Sequence, residues 1–176
     1  IRAVQTDFPA HQIVLTTVTR TGQALARSQL GKTCVILFAP LDFSPVVRKY
    51  VRFIRPRGYI TAETEIWPNL FSVLGKQGVP LLLVNGRISE RSFRKYRLVR
   101  ALLRKILDNV DGFCMQTEAD ADRIKALGAL PGKVSVVGNM KFDQPAVPRN
   151  LAACEVGLSG KEKLWIFITS PLMGEG

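Results

Sequence analysis

Short apolar runs alternate along the chain with longer segments in which apolar residues recur at helical spacing. The short runs are rich in Val, Ile and Leu and show little polar alternation, which is typical of strands buried in a parallel sheet. The predicted strands are Ile13–Thr17, Cys34–Phe38, Tyr59–Ala62, Leu81–Asn85, Gly112–Gln116, Val134–Gly138 and Leu164–Thr169. The predicted helices are Thr21–Leu30, Ser44–Phe53, Trp67–Gln77, Ser89–Leu107 and Thr117–Leu127. This order predicts an α/β fold in which helices flank a doubly wound parallel sheet.

The pattern changes after Asp143. Residues 144–163 begin with a segment that contains Pro145 and Pro148 and has no strand or helix period, so we interpret them as a linker. Residues 164–176 open with an apolar run and are predicted to begin a second domain, which leaves residues 1–143 as the first. Because the chain begins with Ile1 and ends soon after a strand, we expect both ends to be cut from a longer protein.

Composition narrows the possible functions. With 47% apolar residues the chain can bury a sizeable core, and its net charge of +11 indicates an anionic partner, such as nucleic acid, acidic lipid or a phosphorylated substrate. The only histidine is His11 and the three cysteines are far apart, which excludes a Ser-His-Asp triad and the usual zinc-ligand spacings. Neither the dinucleotide-binding glycine pattern nor the P-loop pattern occurs, and no apolar run reaches the roughly 20 residues of a membrane span.

Two carboxylates stand between a predicted strand and a helix. Glu63 and Glu65 follow the strand directly, and Pro68 suits the first turn of the helix that comes next. Stabilisation of the helix dipole, worth about 0.3–1 kcal/mol, accounts well for Glu65. It accounts less well for Glu63, which still lies at the end of the strand, so a functional role is the stronger interpretation there.

Three further predicted strands also end in polar residues. Because the carboxyl ends of parallel strands meet at one edge of a sheet, these loops and the two glutamates are expected to line one site. Each loop alone is weak evidence; Thr117 and Glu118, for example, are equally well explained as an ordinary helix start. The polar residues of the three loops are Asn85, Arg87, Ser89, Gln116, Glu118, Asn139 and Lys141.

A cationic segment follows the fourth predicted strand. Its apolar residues recur at helical spacing, which predicts one amphipathic helix with a basic outer face, opposed only by Glu90. We predict that five arginines of this face contact an anionic surface: Arg91, Arg94, Arg97, Arg100 and Arg104. A second basic cluster without acidic residues comprises Arg48, Lys49, Arg52, Arg55 and Arg57.

Several of these motifs together resemble the bacterial 3-deoxy-D-manno-octulosonic acid (Kdo) transferases. The likeness is carried, in order and at similar spacing, by Thr16–Gly22, Glu63–Asn69, Val84–Ser92, Gln116–Asp120 and Gly138–Asp143. It extends over residues 1 to 143. Five motifs in sequence make the resemblance far more specific than any one of them.

The resemblance implies a fold and an activity. The family has the GT-B architecture, in which two Rossmann-like domains face each other across a cleft, so residues 1–143 would be the N-terminal acceptor domain. The family transfers Kdo from CMP-Kdo to a lipid A precursor, with release of CMP and inversion at the anomeric carbon. The resemblance further implies the cytoplasmic face of the bacterial inner membrane as the location, no cofactor or metal ion, and no nucleic acid partner.

The resemblance also implies roles for individual residues. Glu63 and Lys141 occupy positions credited with transition-state stabilisation; the leaving group is a phosphate monoester, so a cation at Lys141 suits the charge that develops there. Glu63 would favour a cationic sugar ring or orient the acceptor hydroxyl. The remaining polar residues at this edge of the sheet, which we call the rim, are predicted to bind substrate. They are Glu65, Asn85, Arg87, Ser89, Gln116, Glu118 and Asn139.

The chain also departs from the family pattern. The family's catalytic base lies in a Gly-Glu loop after the first strand, which would precede Ile1, and nearly all of the donor domain would follow the chain. Thr169–Gly176 lacks the histidine expected in the second domain, and Glu175 is not a substitute for the base. We therefore expect the first strand and catalytic loop to be missing and the chain alone to be inactive.

Three other interpretations remain open at the level of sequence. One is a related inverting transferase that uses another nucleotide sugar, and another is a non-catalytic remnant. The third is a basic Rossmann-like module that binds nucleic acid, although its aromatic residues are not interleaved with the basic ones as a base-stacking platform requires.

Overall fold

A computed structural model describes residues 2–139 and 163–167. The described strands are β1 Gln12–Thr17, β2 Val35–Phe38, β3 Pro56–Ala62, β4 Leu81–Gly86, β5 Gly112–Met115, β6 Val134–Val136 and β7 Lys163–Phe167. They form one parallel sheet with the order β2-β1-β7-β3-β4-β5-β6. The predicted α/β class and parallel sheet are confirmed.

Helices connect the successive strands from β1 to β6, as the alternation of apolar patterns predicts. The described α-helices are α1 Arg2–Asp7, α2 Arg20–Leu30, α3 Ser44–Ile54, α4 Pro68–Lys76, α5 Glu90–Leu98, α6 Arg100–Leu107 and α7 Glu118–Leu127. A short 3-10 helix, Pro131–Lys133, precedes β6. Pro68 opens α4 at its first position, as its missing N–H predicts.

The sheet buries a core on each face. Val14 of β1 belongs to the larger core, whereas its neighbours Ile13 and Leu15 belong to the smaller one. Because successive side chains of a strand point to opposite faces, the two cores lie on opposite sides of the sheet. Helices α3, α4, α6 and α7 supply the larger core, and α1 and α2 supply the smaller.

The direction of winding reverses between β1 and β3. From β1 the chain passes to β2 at one edge, whereas β3 to β6 follow one another toward the opposite edge. In open α/β sheets such a reversal leaves a crevice at the carboxyl ends of the strands, where ligands bind. The loop after β3, which carries Glu63, lies beside this reversal.

The prediction of a single helix over Ser89–Leu107 is wrong. The segment forms two helices that meet at Val99, whose φ of −113° and ψ of 21° are not helical. No residue of α5 is buried, whereas α6 buries Leu103, Ile106 and Leu107 against the larger core. The break lets α6 dock on the core while α5 lies more exposed, which one straight helix does not allow.

Strand β7 lies at the start of the predicted second domain, residues 164–176, and the division into two domains stays a prediction. Strand β7 lies inside the first sheet, where Leu164 is in register with Ile13 of β1 and with Gly58 of β3. Pairing with two parallel neighbours satisfies the backbone groups on both sides of the strand. The local sequence pattern predicts a strand here, but it does not specify which sheet the strand joins. The predicted linker, 144–163, lies outside the described residues except for Lys163.

Among the described residues, no helix has the length and the apolar character that crossing a membrane requires.

Candidate functional site

The loops after β3, β4 and β5 are joined to their neighbours at the carboxyl edge of the sheet. The Glu63 N–H donates to the carbonyl oxygen of Val84 at 2.8 Å, and the Gln116 N–H donates to that of Gly86 at 2.9 Å. These bonds continue the strand ladders beyond β3 and β5. The structure thus brings together, at one edge, three of the loops that the sequence predicts to form a site.

Glu63 and Asn85 hold a backbone conformation that is uncommon for residues other than glycine. Their φ values are +65° and +56°, in the left-handed region. Asn tolerates this region through local hydrogen bonding, whereas Glu has no such compensation, and the cost is of order 1–2 kcal/mol. Strain of this kind is retained where surrounding contacts enforce it, and it is frequent at functional sites.

Thr64 joins the loop after β3 to the loop after β4. Its hydroxyl oxygen accepts a hydrogen bond from the Arg87 N–H at 2.9 Å, and the hydroxyl donates to the Arg87 carbonyl oxygen at 2.5 Å. The backbone of Arg87 is therefore held by one side chain on both of its polar groups. Sequence reasoning missed Thr64, because nothing local to it indicates a partner 23 residues away.

Gln116 joins the loop after β5 to Asn85. Its side-chain amide donates to the Asn85 carbonyl oxygen at 3.1 Å, and Asn85 is buried. A Cβ at Gly86 would lie 2.6 Å from the Met115 sulfur, so a larger residue here requires the Met115 side chain to move. The arrangement places Asn85 at the centre of the three connected loops.

The start of α7 holds the loop that precedes α5. The buried Asp120 carboxylate accepts from the Ile88 N–H at 2.8 Å and from the Thr117 hydroxyl at 2.6 Å. Arg123 donates to the Ile88 carbonyl oxygen at 2.7 Å and forms a 3.2 Å ion pair with Glu90. Both polar backbone groups of Ile88 are thus fixed by α7.

The remaining predicted site residues of these loops lie on the surface. Arg87, Ser89 and Glu118 are exposed. Ser89 caps α5 by accepting from the Ser92 N–H at 3.2 Å, and Glu118 lies in the first turn of α7, next to its cap Thr117. Glu118 thus lies where a helix start places it, and its role in substrate binding stays a prediction.

The negative charge of Glu65 affects two tyrosines, the buried Tyr59 and the half-buried Tyr96. Burial raises the pKa of Tyr59 well above its usual value, and the negative charges of Asp42 and Glu65 raise it further. Burial also raises the pKa of Tyr96 on α5, again with a contribution from Glu65. Glu65 and Glu63 are both half-buried, so the rim carries two partly shielded carboxylates.

The loop after β6 is described only in part. The Val137 N–H donates to the Met115 carbonyl oxygen at 3.0 Å, which places this loop beside β5 at the same edge, and Asn139 is half-buried. Lys141, the predicted partner of Glu63, lies outside the described residues. Their separation is therefore still a prediction.

The five arginines predicted to contact an anionic surface are all exposed on α5 and α6. Arg94 forms a 3.3 Å ion pair with Glu90, and Arg97 lies over the Phe93 ring, 5.9 Å from its centroid. At the junction of the two helices, Leu98 is 87% exposed and Leu102 is 62% exposed. The arginines therefore occur beside an exposed apolar patch rather than on a purely polar face.

No group of three or more His, Cys, Asp or Glu side chains arranged to hold a metal ion occurs within residues 2–139 and 163–167. The chemistry available at the described rim is that of carboxylates, amides and guanidinium groups. Such groups bind polar hydroxyl-rich or anionic ligands and stabilise charge that develops in a reaction.

Comparison with protein families identifies the same group as the sequence motifs. Residues 1–144 match the family model described as 3-deoxy-D-manno-octulosonic-acid transferase (kdotransferase). A 3-deoxy-D-manno-octulosonic acid transferase of Haemophilus influenzae is 30% identical over 143 residues, which are 81% of this chain and 34% of the relative. A bifunctional glycosyltransferase/methyltransferase of Fusobacterium nucleatum is 34% identical over 132 residues, 74% of this chain and 21% of the relative.

A third relative aligns over nearly the whole chain. It is a 3-deoxy-D-manno-octulosonic acid transferase of Rickettsia conorii, 29% identical over 174 residues, which are 97% of this chain and 37% of the relative. The aligned residues thus cover between 21% and 37% of the length of these three relatives.

Proposed function

Because this chain belongs to the family of 3-deoxy-D-manno-octulosonic acid (Kdo) transferases, we propose that its protein transfers Kdo from CMP-Kdo to a hydroxyl group of a lipid A precursor in lipopolysaccharide biosynthesis. The observation that carries the proposal is the rim of connected loops at the carboxyl edge of the sheet, centred on Glu63 and Asn85. In this reading residues 1–143 are acceptor-domain sequence of a GT-B enzyme.

Glu63 acts on the transition state. As Kdo leaves CMP, positive charge develops on the sugar ring, and a carboxylate held in a fixed, strained conformation stabilises that charge without having to reorganise. The same carboxylate can orient the acceptor hydroxyl. Lys141 neutralises the departing phosphate, so the proposal needs no metal ion or cofactor.

The polar residues around Glu63 bind substrate. Asn85 and Gln116 present amide groups, and Arg87 and Ser89 present exposed donors, a set suited to sugar hydroxyl and carboxylate groups. Glu65, Glu118 and Asn139 complete the rim on this proposal. A related transferase that uses another nucleotide sugar would retain the rim and differ in its donor preference.

Arg91, Arg94, Arg97, Arg100 and Arg104 hold the protein against anionic lipid at the cytoplasmic face of the inner membrane. The support is the exposure of all five arginines and of the neighbouring apolar residues Leu98 and Leu102. Cations near an acidic bilayer contribute about 1 kcal/mol each, and exposed apolar side chains add favourable burial in the interface.

The direct test measures transfer by the enzyme expressed at the full length its gene encodes. Radiolabelled Kdo should pass from CMP-Kdo to a lipid A precursor, with EDTA present, and Glu63→Gln should lower kcat roughly 10²- to 10³-fold, as the loss of an oriented charge does. Asp108→Asn, an exposed carboxylate outside the rim, serves as the control and should leave kcat unchanged.

The outcome also separates the alternatives. Transfer from another nucleotide sugar but not from CMP-Kdo would identify a related transferase instead. Unchanged turnover in Glu63→Gln would remove its proposed role, and absence of any transfer by the wild-type enzyme would contradict the proposed function.

A further inference from the structure

Helix α4 begins without a cap from its own sequence. The side chain of Trp67, the residue before it, does not cap the helix, so the first N–H groups of the helix need acceptors from elsewhere. Asp42, in the connection between β2 and α3, provides them. Its Oδ2 accepts from the Asn69 N–H at 3.1 Å and its Oδ1 accepts from the Leu70 N–H at 2.9 Å.

The contact between Asp42 and α4 is reciprocal. The Asn69 side-chain amide donates to the Asp42 carbonyl oxygen at 2.7 Å, and the Asn69 Oδ1 accepts from the Ser44 hydroxyl at 2.5 Å. The segment Asp42–Ser44 and the start of α4 therefore form a closed network, although 25 to 28 residues separate the partners. A carboxylate at a helix N-terminus also interacts favourably with the helix dipole.

This network fixes one end of the segment that carries Glu63 and Glu65. Only residues 63–67 lie between the end of β3 and the start of α4. The front of the segment is held by the bond from Glu63 to Val84 and by the contact of Thr64 with Arg87. The far end is held by Asp42. A strained conformation such as that of Glu63, at φ +65°, persists where surrounding contacts enforce it, and here contacts restrain both ends of the segment.

The negative charges of Asp42 and Glu65 both raise the pKa of the buried Tyr59, after the larger effect of burial. The network that holds α4 therefore carries a charge that acts on the same tyrosine as Glu65.

We propose that Asp42 is a positioning residue for the transfer reaction, which sets the conformation of residues 63–67 and thereby the position of the Glu63 and Glu65 carboxylates. The inference rests on the proposed function, since the reaction defines what the two glutamates are positioned for. Asp42 itself need not contact substrate.

The test compares Asp42→Ala, Asp42→Asn and Val73→Ala in the full-length enzyme. Asp42→Ala removes both acceptors, Asp42→Asn keeps one oxygen for the Leu70 N–H, and Val73→Ala weakens the packing of the same helix away from the segment. Because misplacement of a reacting group by about 1 Å lowers rates roughly 10²-fold, kcat should fall 10- to 100-fold in Asp42→Ala and less in Asp42→Asn. The KM for acceptor should change less than about threefold. Val73→Ala should lower Tm and leave kcat unchanged.

A second measurement does not depend on turnover. Amide hydrogen exchange over residues 63–70 should be faster in both Asp42 variants than in the wild-type enzyme. If Asp42→Ala does not fold, Asp42→Asn alone provides this measurement. Exchange over the same residues should not be faster in Val73→Ala when each protein is measured at the same number of degrees below its own Tm. Unchanged kcat per folded molecule in the Asp42 variants would show that Asp42 only caps a helix and would overturn the proposal. If the wild-type enzyme transfers no Kdo, the proposed function fails, and unaltered exchange over residues 63–70 would then overturn the positioning role as well.

Discussion

Glu63 and Arg55 share a left-handed backbone conformation for different reasons. Arg55, at φ 52°, ends α3 in the way a glycine would, and its N–H donates to the Val51 carbonyl oxygen at 2.8 Å. Glu63, at φ 65°, does not end a helix and lies between β3 and α4 at the candidate site. The left-handed conformation of Arg55 therefore serves to end α3, whereas that of Glu63 occurs at a side chain with a proposed role in the reaction.

Glu63→Gly should separate stability from activity. Glycine adopts positive φ without a steric penalty, so the substitution relieves about 1 kcal/mol of strain, partly offset by the greater freedom of glycine in the unfolded chain. We expect Tm to be unchanged or higher, and kcat to be lowered roughly 10²-fold or more by the loss of the carboxylate.

Arg55→Gly is the matched control for Glu63→Gly. It should change Tm in the same direction with no effect on kcat, when both variants are assayed with acceptor dispersed in detergent. A clear loss of stability in Glu63→Gly would contradict the assignment of strain to this residue.

The position of a predicted site residue follows from the sequence where a strand end determines it, whereas its role stays a prediction. Glu63 and Gln116 directly follow parallel strands and Asn85 is near the end of one, so the sheet brings them to one edge. Thr64 and Asp42 were missed because their hydrogen bonds join segments 23 to 28 residues apart. No local sequence pattern signals such partners.

At the scale of elements, α7 determines the shape of the loop before α5. The buried carboxylate of Asp120 and the guanidinium of Arg123 bind the two polar backbone groups of Ile88, which is itself buried. The loop that carries Arg87 and Ser89 is therefore held by a helix that follows it by some 30 residues.

Asp120→Ala should destabilise the protein markedly. The substitution leaves the Ile88 N–H and the Thr117 hydroxyl without their acceptor, and a buried polar group without a partner costs about 1–3 kcal/mol. Asp122→Ala is the control, because the Asp122 side chain is 76% exposed and forms only a surface ion pair with Lys125. Surface pairs contribute about 0–1 kcal/mol. Chemical denaturation that gave equal losses for the two variants would show that the contact with Ile88 adds nothing to stability.

The break between α5 and α6 shows a limit of periodicity. Apolar residues recur across Ser89–Leu107 without interruption, so the sequence predicts one helix. In the structure the apolar residues of this pattern fall into two groups. Those on one face of α6 are buried, whereas Leu98, Val99 and Leu102 are exposed. Periodicity identifies apolar positions, but it does not reveal whether they face the core or an outside partner.

At the scale of the whole molecule, sheet order was the least predictable feature. An apolar run predicts each strand, but it does not predict which strands will lie next to it in the sheet. Strand β7, the last in sequence, lies between β1 and β3 in the middle of the sheet. An apolar run suits any position between two parallel partners, so only pairing in three dimensions determines its place.

The distribution of charge over the molecule follows from the two-sided core. Helices α3 and α6 both pack on the larger core, on one face of the sheet, whereas α2 packs on the opposite face. The exposed cations Arg48, Lys49 and Arg52 of α3 therefore lie on the same side of the sheet as Arg100 and Arg104 of α6. Phe53 of α3 is 73% exposed on this side, which again combines cations with apolar surface.

The position of these cations beside exposed apolar residues, on one side of the sheet, predicts which arginines contribute to lipid binding. A variant that replaces Arg97, Arg100 and Arg104 with Gln should bind vesicles that contain anionic phospholipid roughly 100-fold more weakly, since each cation contributes about 1 kcal/mol. The matched control replaces Arg20, Arg27 and Lys32 with Gln, which removes the same charge from α2 and from the turn after it, on the opposite face. The control should bind nearly as tightly as the parent protein, and binding of the parent should weaken as salt rises.

Co-sedimentation with anionic and neutral vesicles measures these affinities, with random single-stranded RNA as a second ligand. Equal losses in the two triple variants would mean that net charge alone drives association, and no particular face would then be a membrane surface. RNA binding that matched vesicle binding in affinity, and that depended on the same three arginines with a steep salt slope, would favour the nucleic-acid interpretation instead. A face that combines arginines with exposed leucines should prefer the vesicle, because the apolar side chains are buried in a lipid interface and have no equivalent partner on a phosphate backbone.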